Sequence, residues 1–260
     1  TGQGVGELRG KKAKDPTFGL DATWIQPGDA DAATGQGYLV VDAGTVVATH
    51  LNHQLSQNAS DMLGADEVQQ LLEGLKERNP QLVAALTPAP LPLTTLTQVL
   101  KGLLAEGISL KEFRRIASAI AVAAQRTVDA EEIIEAIRPD LGGLIIQKLC
   151  GVHEPLRVMT LEGQLEGLLG QAVRSDPSRR HTIEPDLGRR IVDALTQAAA
   201  PLVAEAKPFA LVVQPSIRLA IRKLVKTCLP DTPVMSFFEV PEEKSVEVVA
   251  VIGAPQALAA

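Results

Sequence analysis

The chain of 260 residues carries 25 Lys and Arg against 31 Asp and Glu, a net charge of -6, with 45% hydrophobic and only 3% aromatic residues. That acidic balance repels phosphate backbones, and one Trp, one Tyr and five Phe leave few rings for bases to stack on, which argues against nucleic acid as a partner. The aliphatic content excludes disorder throughout and is ample for about two domains or several small packed subdomains.

Residues 1–14 are rich in Gly and Lys and read as a lead-in outside any core. Phe18–Ile25 and Tyr38–Val41 have strand character and are separated by Pro27-Gly-Asp-Ala and a small-residue loop, which predicts a small β unit. From Thr45 the period changes. Val47, Leu51, Leu55 and Ala59 recur every four residues, Met62 and Leu63 complete the face, and Asp42 or Thr45 would cap the helix. Val68, Leu71, Leu72 and Leu75 mark a second helix that Asn79-Pro80 must end, with a short helix over Gln81–Leu86 and a stiff Pro88–Pro92 stretch after it. A leucine stripe over 96–104 stops at Gly107. Ser109 with Glu112 then predicts a capping box for a helix through Phe113, Ile116 and Ile120, packed antiparallel to the leucine helix. Asp129 with Glu132 predicts another capping box, for a helix that Pro139 should kink or interrupt and that residues 144–149 should resume.

Beyond Gly151, Leu156–Thr160 reads as a strand, Leu161–Val173 as a helix and Ser175–His181 as a basic loop. Pro185 fits the first position of a helix through Leu187, Ile191 and Leu195 that should end near Pro201. Phe209–Val213, Pro233–Phe238 and Val246–Ile252 read as strands, with a helix over Ile217–Cys228. Strand–helix–strand order makes this last region a small α/β unit with parallel pairing. The expected fold class is therefore α+β: helix-rich, with several subdomains, small α/β units at both ends and a helical middle.

Chemistry is nearly absent from the pattern. Gly4-Val-Gly6-Glu-Leu-Arg-Gly10-Lys11-Lys12 looks like a phosphate loop, yet Val5 stands where glycine is required, Lys12 where Ser or Thr is required, and no strand precedes it. His50 and His53 share one helix face at a spacing two zinc ligands can use, but no third ligand is near in sequence, and they read as a pair of polar, partly exposed side chains. Cys150 and Cys228 form neither a CxxC pair nor a disulfide framework, so the compartment reads as reducing. No Gly-x-Ser-x-Gly elbow exists, and Glu131-Glu132 and Glu242-Glu243 fit a helix first turn and a solvated loop. Arg218, Arg222, Lys223 and Lys226 cluster on one helix face, which is either solvated or offered to an acidic partner. No uncharged apolar run reaches the ~18 residues that span a bilayer. The chain starts at Thr1, so it is expected to be a piece of something longer.

Asp15-Pro-Thr-Phe18-Gly-Leu-Asp-Ala-Thr-Trp24-Ile25 together with Thr45-Val-Val-Ala-Thr49-His50-Leu-Asn-His53 resembles the cytoplasmic C-terminal domain of the FlhA/LcrD family of type III export-gate proteins, its flagellar branch in particular. The likeness continues through Leu71–Leu75, residues 96–104, Gly107–Arg115, Ile183-Glu-Pro185 and Leu229–Val234, and so covers nearly everything from 14 to 252. The resemblance implies a second subdomain over 1–42, a helix over 43–62 belonging to an otherwise missing first subdomain, a helical third subdomain over 63–128 and an α/β fourth over 129–260. It implies no enzyme, no cofactor and no metal. It implies instead a docking platform that hangs below a membrane-embedded gate at the cytoplasmic face of the bacterial inner membrane. Nine copies would form a ring that binds flagellar export chaperones with bound cargo and components of the export ATPase complex.

The family's chaperone-docking dimple carries over onto Asp15, Phe18 and Thr49, with Leu20, Val41 and Val46 as apolar lining. Taken alone, Phe18 reads as packing under its own β unit, and the resemblance reverses that reading. The equivalent domain of a virulence secretion gate is the alternative reading, and a nucleotide- or metal-dependent enzyme a remote one.

Overall fold

The computed structural model describes residues 8–17, 19–175, 183–205 and 207–253. The chain divides into two compact units, Thr1–Met62 and Leu63–Ala260.

In the first unit, β1 (Lys11–Lys14) pairs antiparallel with β2 (Asp21–Trp24), Lys11 opposite Trp24 and Lys14 opposite Asp21. The expected lead-in therefore contributes a strand, because a stretch without an apolar pattern needs only backbone partners to join a ladder. A tight turn joins the strands: the Gly19 N–H donates to Asp15 O at 2.9 Å, Asp15 Oδ1 accepts from Thr17 N at 2.9 Å, and Gly19 sits at φ +68°, a conformation that glycine adopts without strain. A 3-10 turn (Pro27–Asp29) leads into α1 (Ala30–Gly35), so the small-residue loop is helical. Tyr38–Val41 belongs to neither sheet, and the strand expected there is not formed among the described residues. Asp42 then caps α2 (Ala43–Gln57), its Oδ1 accepting from Thr45 N at 2.9 Å, and a single turn, α3 (Ala59–Met62), follows.

The second unit begins with α4 (Ala65–Arg78), α5 (Pro80–Leu86) and α6 (Leu93–Ala105). Gly107 at φ +75° turns the chain towards α7 (Phe113–Ala123). The expected Ser109 capping box is not made. The Ser109 hydroxyl accepts from Lys111 N at the start of a 3-10 turn, which delays α7 to Phe113. Asp129 does cap α8 (Ala130–Ile146), accepting from Glu132 N at 2.9 Å. α8 passes through Pro139 without a break. Burial of Ile133, Ile137 and Leu141 on one side and of the Arg138 ion pairs on another outweighs the missing hydrogen bond.

The α/β part comprises β3 (Leu156–Leu161), α9 (Gly163–Ser175), α10 (Pro185–Ala204), β4 (Ala210–Val213), α11 (Pro215–Val225), β5 (Val234–Ser236) and β6 (Val246–Ile252). α10 continues past Pro201, α11 starts at Pro215 rather than Ile217, and the strand expected over 233–238 shortens to three residues before a 3-10 turn (Phe237–Glu239). Of the basic loop expected over Ser175–His181, Ser175 ends α9 and 176–181 lie outside the described residues. The strands order as β5-β4-β3-β6, all parallel. Alternation then builds two cores. Val158, Ala210 and Met235 join the helical core of α4–α8, while Met159, Leu211 and Val234 face α9–α11.

Candidate functional site

In the first unit β1, β2, α1 and the Tyr38–Val46 segment enclose an open cleft of about 800 Å³. The strand ladder supplies Ala13 and Trp24, α1 supplies Ala33, and the extended run supplies Tyr38, Leu39 and Val41. Val46, in the first turn of the capped α2, closes one end. The walls are apolar, with Lys12, Lys14, Asp15, Asp21 and Asp42 also lining the cleft. The Lys14–Asp21 pair at 3.6 Å is exposed and contributes little. Hydrogen bonds from the Thr45 hydroxyl and amide hold the Asp42 carboxyl below its ordinary pKa, so Asp42 stays charged at neutral pH.

Of the six residues expected to form a docking dimple, Asp15, Val41 and Val46 line this cleft. Leu20 and Thr49 are exposed but do not line it, and Phe18 lies outside the described residues. Sequence reasoning missed Trp24, Tyr38 and Leu39. Trp24 is half-exposed and Leu39 is 64% exposed, and both stand in runs read as strands, where an apolar residue reads as core. Along α2, Val47, Leu51 and Leu55 form a second exposed apolar stripe.

The other candidates end differently. The basic face of α11 is divided: Lys223 and, at the helix end, Lys226 stay exposed, whereas Arg218 and Arg222 are buried. Arg218 is 0% exposed and Arg222 8%, because the helix turns them onto the end of α6. There Glu106 accepts from Arg138 Nη1 at 2.5 Å and from Arg218 Nη1 at 2.7 Å. Arg218 also binds Glu135, Arg138 binds Glu239 at 2.8 Å, and Arg222 donates to the carbonyls of Ala105, Pro230 and Thr232. Burial alone would raise the pKa of Glu106, but Arg138 and Arg218 outweigh it and hold the carboxyl below its ordinary value. Three carboxylates thus neutralise three guanidinium groups inside the second unit. The neighbouring Lys223–Glu131 pair stays near water.

His50 and His53 lie on α2, and among the described residues no group of three or more His, Cys, Asp and Glu could hold a metal ion. Gly4 and Gly6 fall outside the described residues, and Lys11 and Lys12 belong to β1. No helix among the described residues is long and apolar enough to cross a membrane.

Comparison with known proteins gives this arrangement its context. The flagellar biosynthesis protein FlhA of Yersinia enterocolitica is 35% identical over 252 residues, 97% of this chain and 36% of that protein. FlhA of Bacillus subtilis is 30% identical over 246 residues, 94% of this chain and 36% of that protein. The chain therefore spans about a third of the length of the curated relatives it matches. Among solved structures, the Chlamydia pneumoniae CdsV protein superposes with a TM-score of 0.79 at 24% identity, covering 90% of this chain and 67% of that one. The nonameric EPEC SctV-C superposes at 0.75 with 19% identity, covering 97% and 76%. These two likenesses establish the fold, which is α+β. The sequence profile of the FHIPEP family matches residues 1–245, and the chain belongs to that family.

Proposed function

We propose that the chain is the cytoplasmic docking platform of a flagellar type III export gate, non-enzymatic, and that it receives chaperone–cargo complexes in the cleft of its first unit. The observation that carries this reading is the open apolar cleft lined by Asp15, Val41 and Val46, beside exposed Trp24 and Leu39. Exposed aliphatic and aromatic groups rimmed by charge anchor protein partners, the charge fixing orientation. The family and the flagellar relatives support the export role, and the nonameric neighbour supports a ring. In this reading the second, first, third and fourth subdomains take residues 1–42, 43–62, 63–128 and 129–260, the parent protein is embedded in the bacterial inner membrane, and components of the export ATPase complex are further partners. Phe18 is the anchor side chain, and Thr49 and Leu20 extend the surface along α2 and the β1–β2 turn.

Calorimetric titration with a purified flagellar chaperone–cargo complex tests it. Phe18→Ala should weaken binding by about 1–4 kcal/mol with the fold intact, as for other anchor residues. Thr49→Met and Val46→Glu should obstruct it. Equal affinity in all three variants and the parent would refute the site.

A further inference from the structure

Two of the five phenylalanines stand side by side in water. Phe237 and Phe238, in the 3-10 turn after β5, are 49% and 67% exposed, with ring centroids 4.6 Å apart and planes at 61°. The backbone beneath them is fixed from three directions. Ser236 N and Oγ both donate to Glu239 Oε1 at 3.0 Å, closing a capping box. The second oxygen of Glu239 accepts from Arg138 Nη2 at 2.8 Å, and both side chains are almost fully buried. On α8, Gly142 leaves room for the turn, since a Cβ there would lie 1.8 Å from Glu239 O.

A buried ion pair is an expensive means of rigidity, and this one holds a turn whose two apolar side chains face solvent. Aromatic groups whose backbone is already ordered lose little entropy when a partner arrives, which is the condition for an anchor. The charge in the next turn of the chain identifies the partner's chemistry. The Lys244 N–H donates to Pro241 O and closes a turn that exposes Glu242 and Glu243, neither of which forms an ion pair among the described residues. Lys244 forms no ion pair with them, its ammonium group donating instead to Gly151 O at 2.7 Å and Val152 O at 3.2 Å.

From this we infer that the Phe237–Phe238 turn, with Glu242 and Glu243, is a docking surface for a basic amphipathic helix of another polypeptide. Its aliphatic stripe covers the rings and its lysines or arginines meet the two carboxylates. The surface belongs to the second unit and does not depend on the cleft or its cargo.

The test uses the whole chain and an amidated leucine–lysine amphipathic helical peptide as probe, followed by calorimetry, with sedimentation velocity on the chain alone. The parent should bind the peptide. F237A/F238A should bind at least about tenfold more weakly at unchanged thermal stability, and F237L/F238L should keep part of the affinity. E242K/E243K should lose the lysine peptide and gain its glutamate counterpart. Equal binding by F237A/F238A, or no binding by the parent, would overturn the inference. So would concentration-dependent self-association that F237A/F238A abolishes, since that would assign the surface to a second copy of the chain.

Discussion

Glu106→Gln removes one charge from the network at the end of α6 while keeping the side chain's size. The carboxylate serves two guanidinium groups, Arg138 and Arg218, whose side chains are 2% and 0% exposed. Breaking a buried pair by removing one partner costs about 3–5 kcal/mol. Arg138 keeps Glu239 and Arg218 keeps Glu135, so the loss should fall near the lower end, about 3 kcal/mol. With a urea slope of about 3 kcal/mol/M, that is a midpoint about 1 M lower.

The pH dependence separates charge from packing. The folded pKa of Glu106 lies below its ordinary value of 4.5, so its contribution is fully present above that value and is lost as pH falls through the folded one. The gap between parent and variant should therefore be constant from neutral pH to about 5 and close in more acid solution. Urea unfolding followed by circular dichroism across this range measures it. A loss below about 1 kcal/mol, the scale of an exposed pair, would refute the reasoning, as would parallel curves down to the acid limit.

Gly142→Ala should lower the melting temperature of the second unit: the added carbon meets a backbone oxygen, and overpacking of about 1–3 kcal/mol exceeds the ~1 kcal/mol gained in helix propensity. A stabilised variant would remove the contact from the account. Asp42→Ala should speed amide exchange at Thr45 and Val46, read by NMR. Because hydrogen bonds from Thr45 lower the folded pKa of Asp42 below 3.8, the difference should be full above that value and vanish as pH falls through the folded one.

Periodicity made most of the second unit legible. The stripes of α4, α6 and α7 and the cap at Asp129 depend on neighbours within four residues, which a sequence displays directly. The errors share a cause, partners far along the chain. Arg218 meets Glu106 across 112 residues, and nothing in the local spacing of Arg218, Arg222 and Lys223 reveals that two of the three are buried. α8 survives Pro139 for the same reason, since its bracing comes from Glu106 and Glu239. In the first unit the cap at Asp42 was readable, whereas β1 was not, because Lys11–Lys14 offers no apolar signal and pairs only through its backbone. The cleft was half legible. Asp15, Val41 and Val46 came from the resemblance, while the exposure of Trp24 and Leu39 depends on what does not cover them.

Ala33 is the only fully buried side chain among the described residues of the first unit, while its cleft and the stripe of Val47, Leu51 and Leu55 stand open to water. Association that covers these surfaces would remove apolar area from water. Any such association should show a large negative heat-capacity change, its enthalpy growing more favourable with each degree of warming. Temperature, and not only mutation, would then distinguish a partner that fills the cleft from one that touches its charged rim.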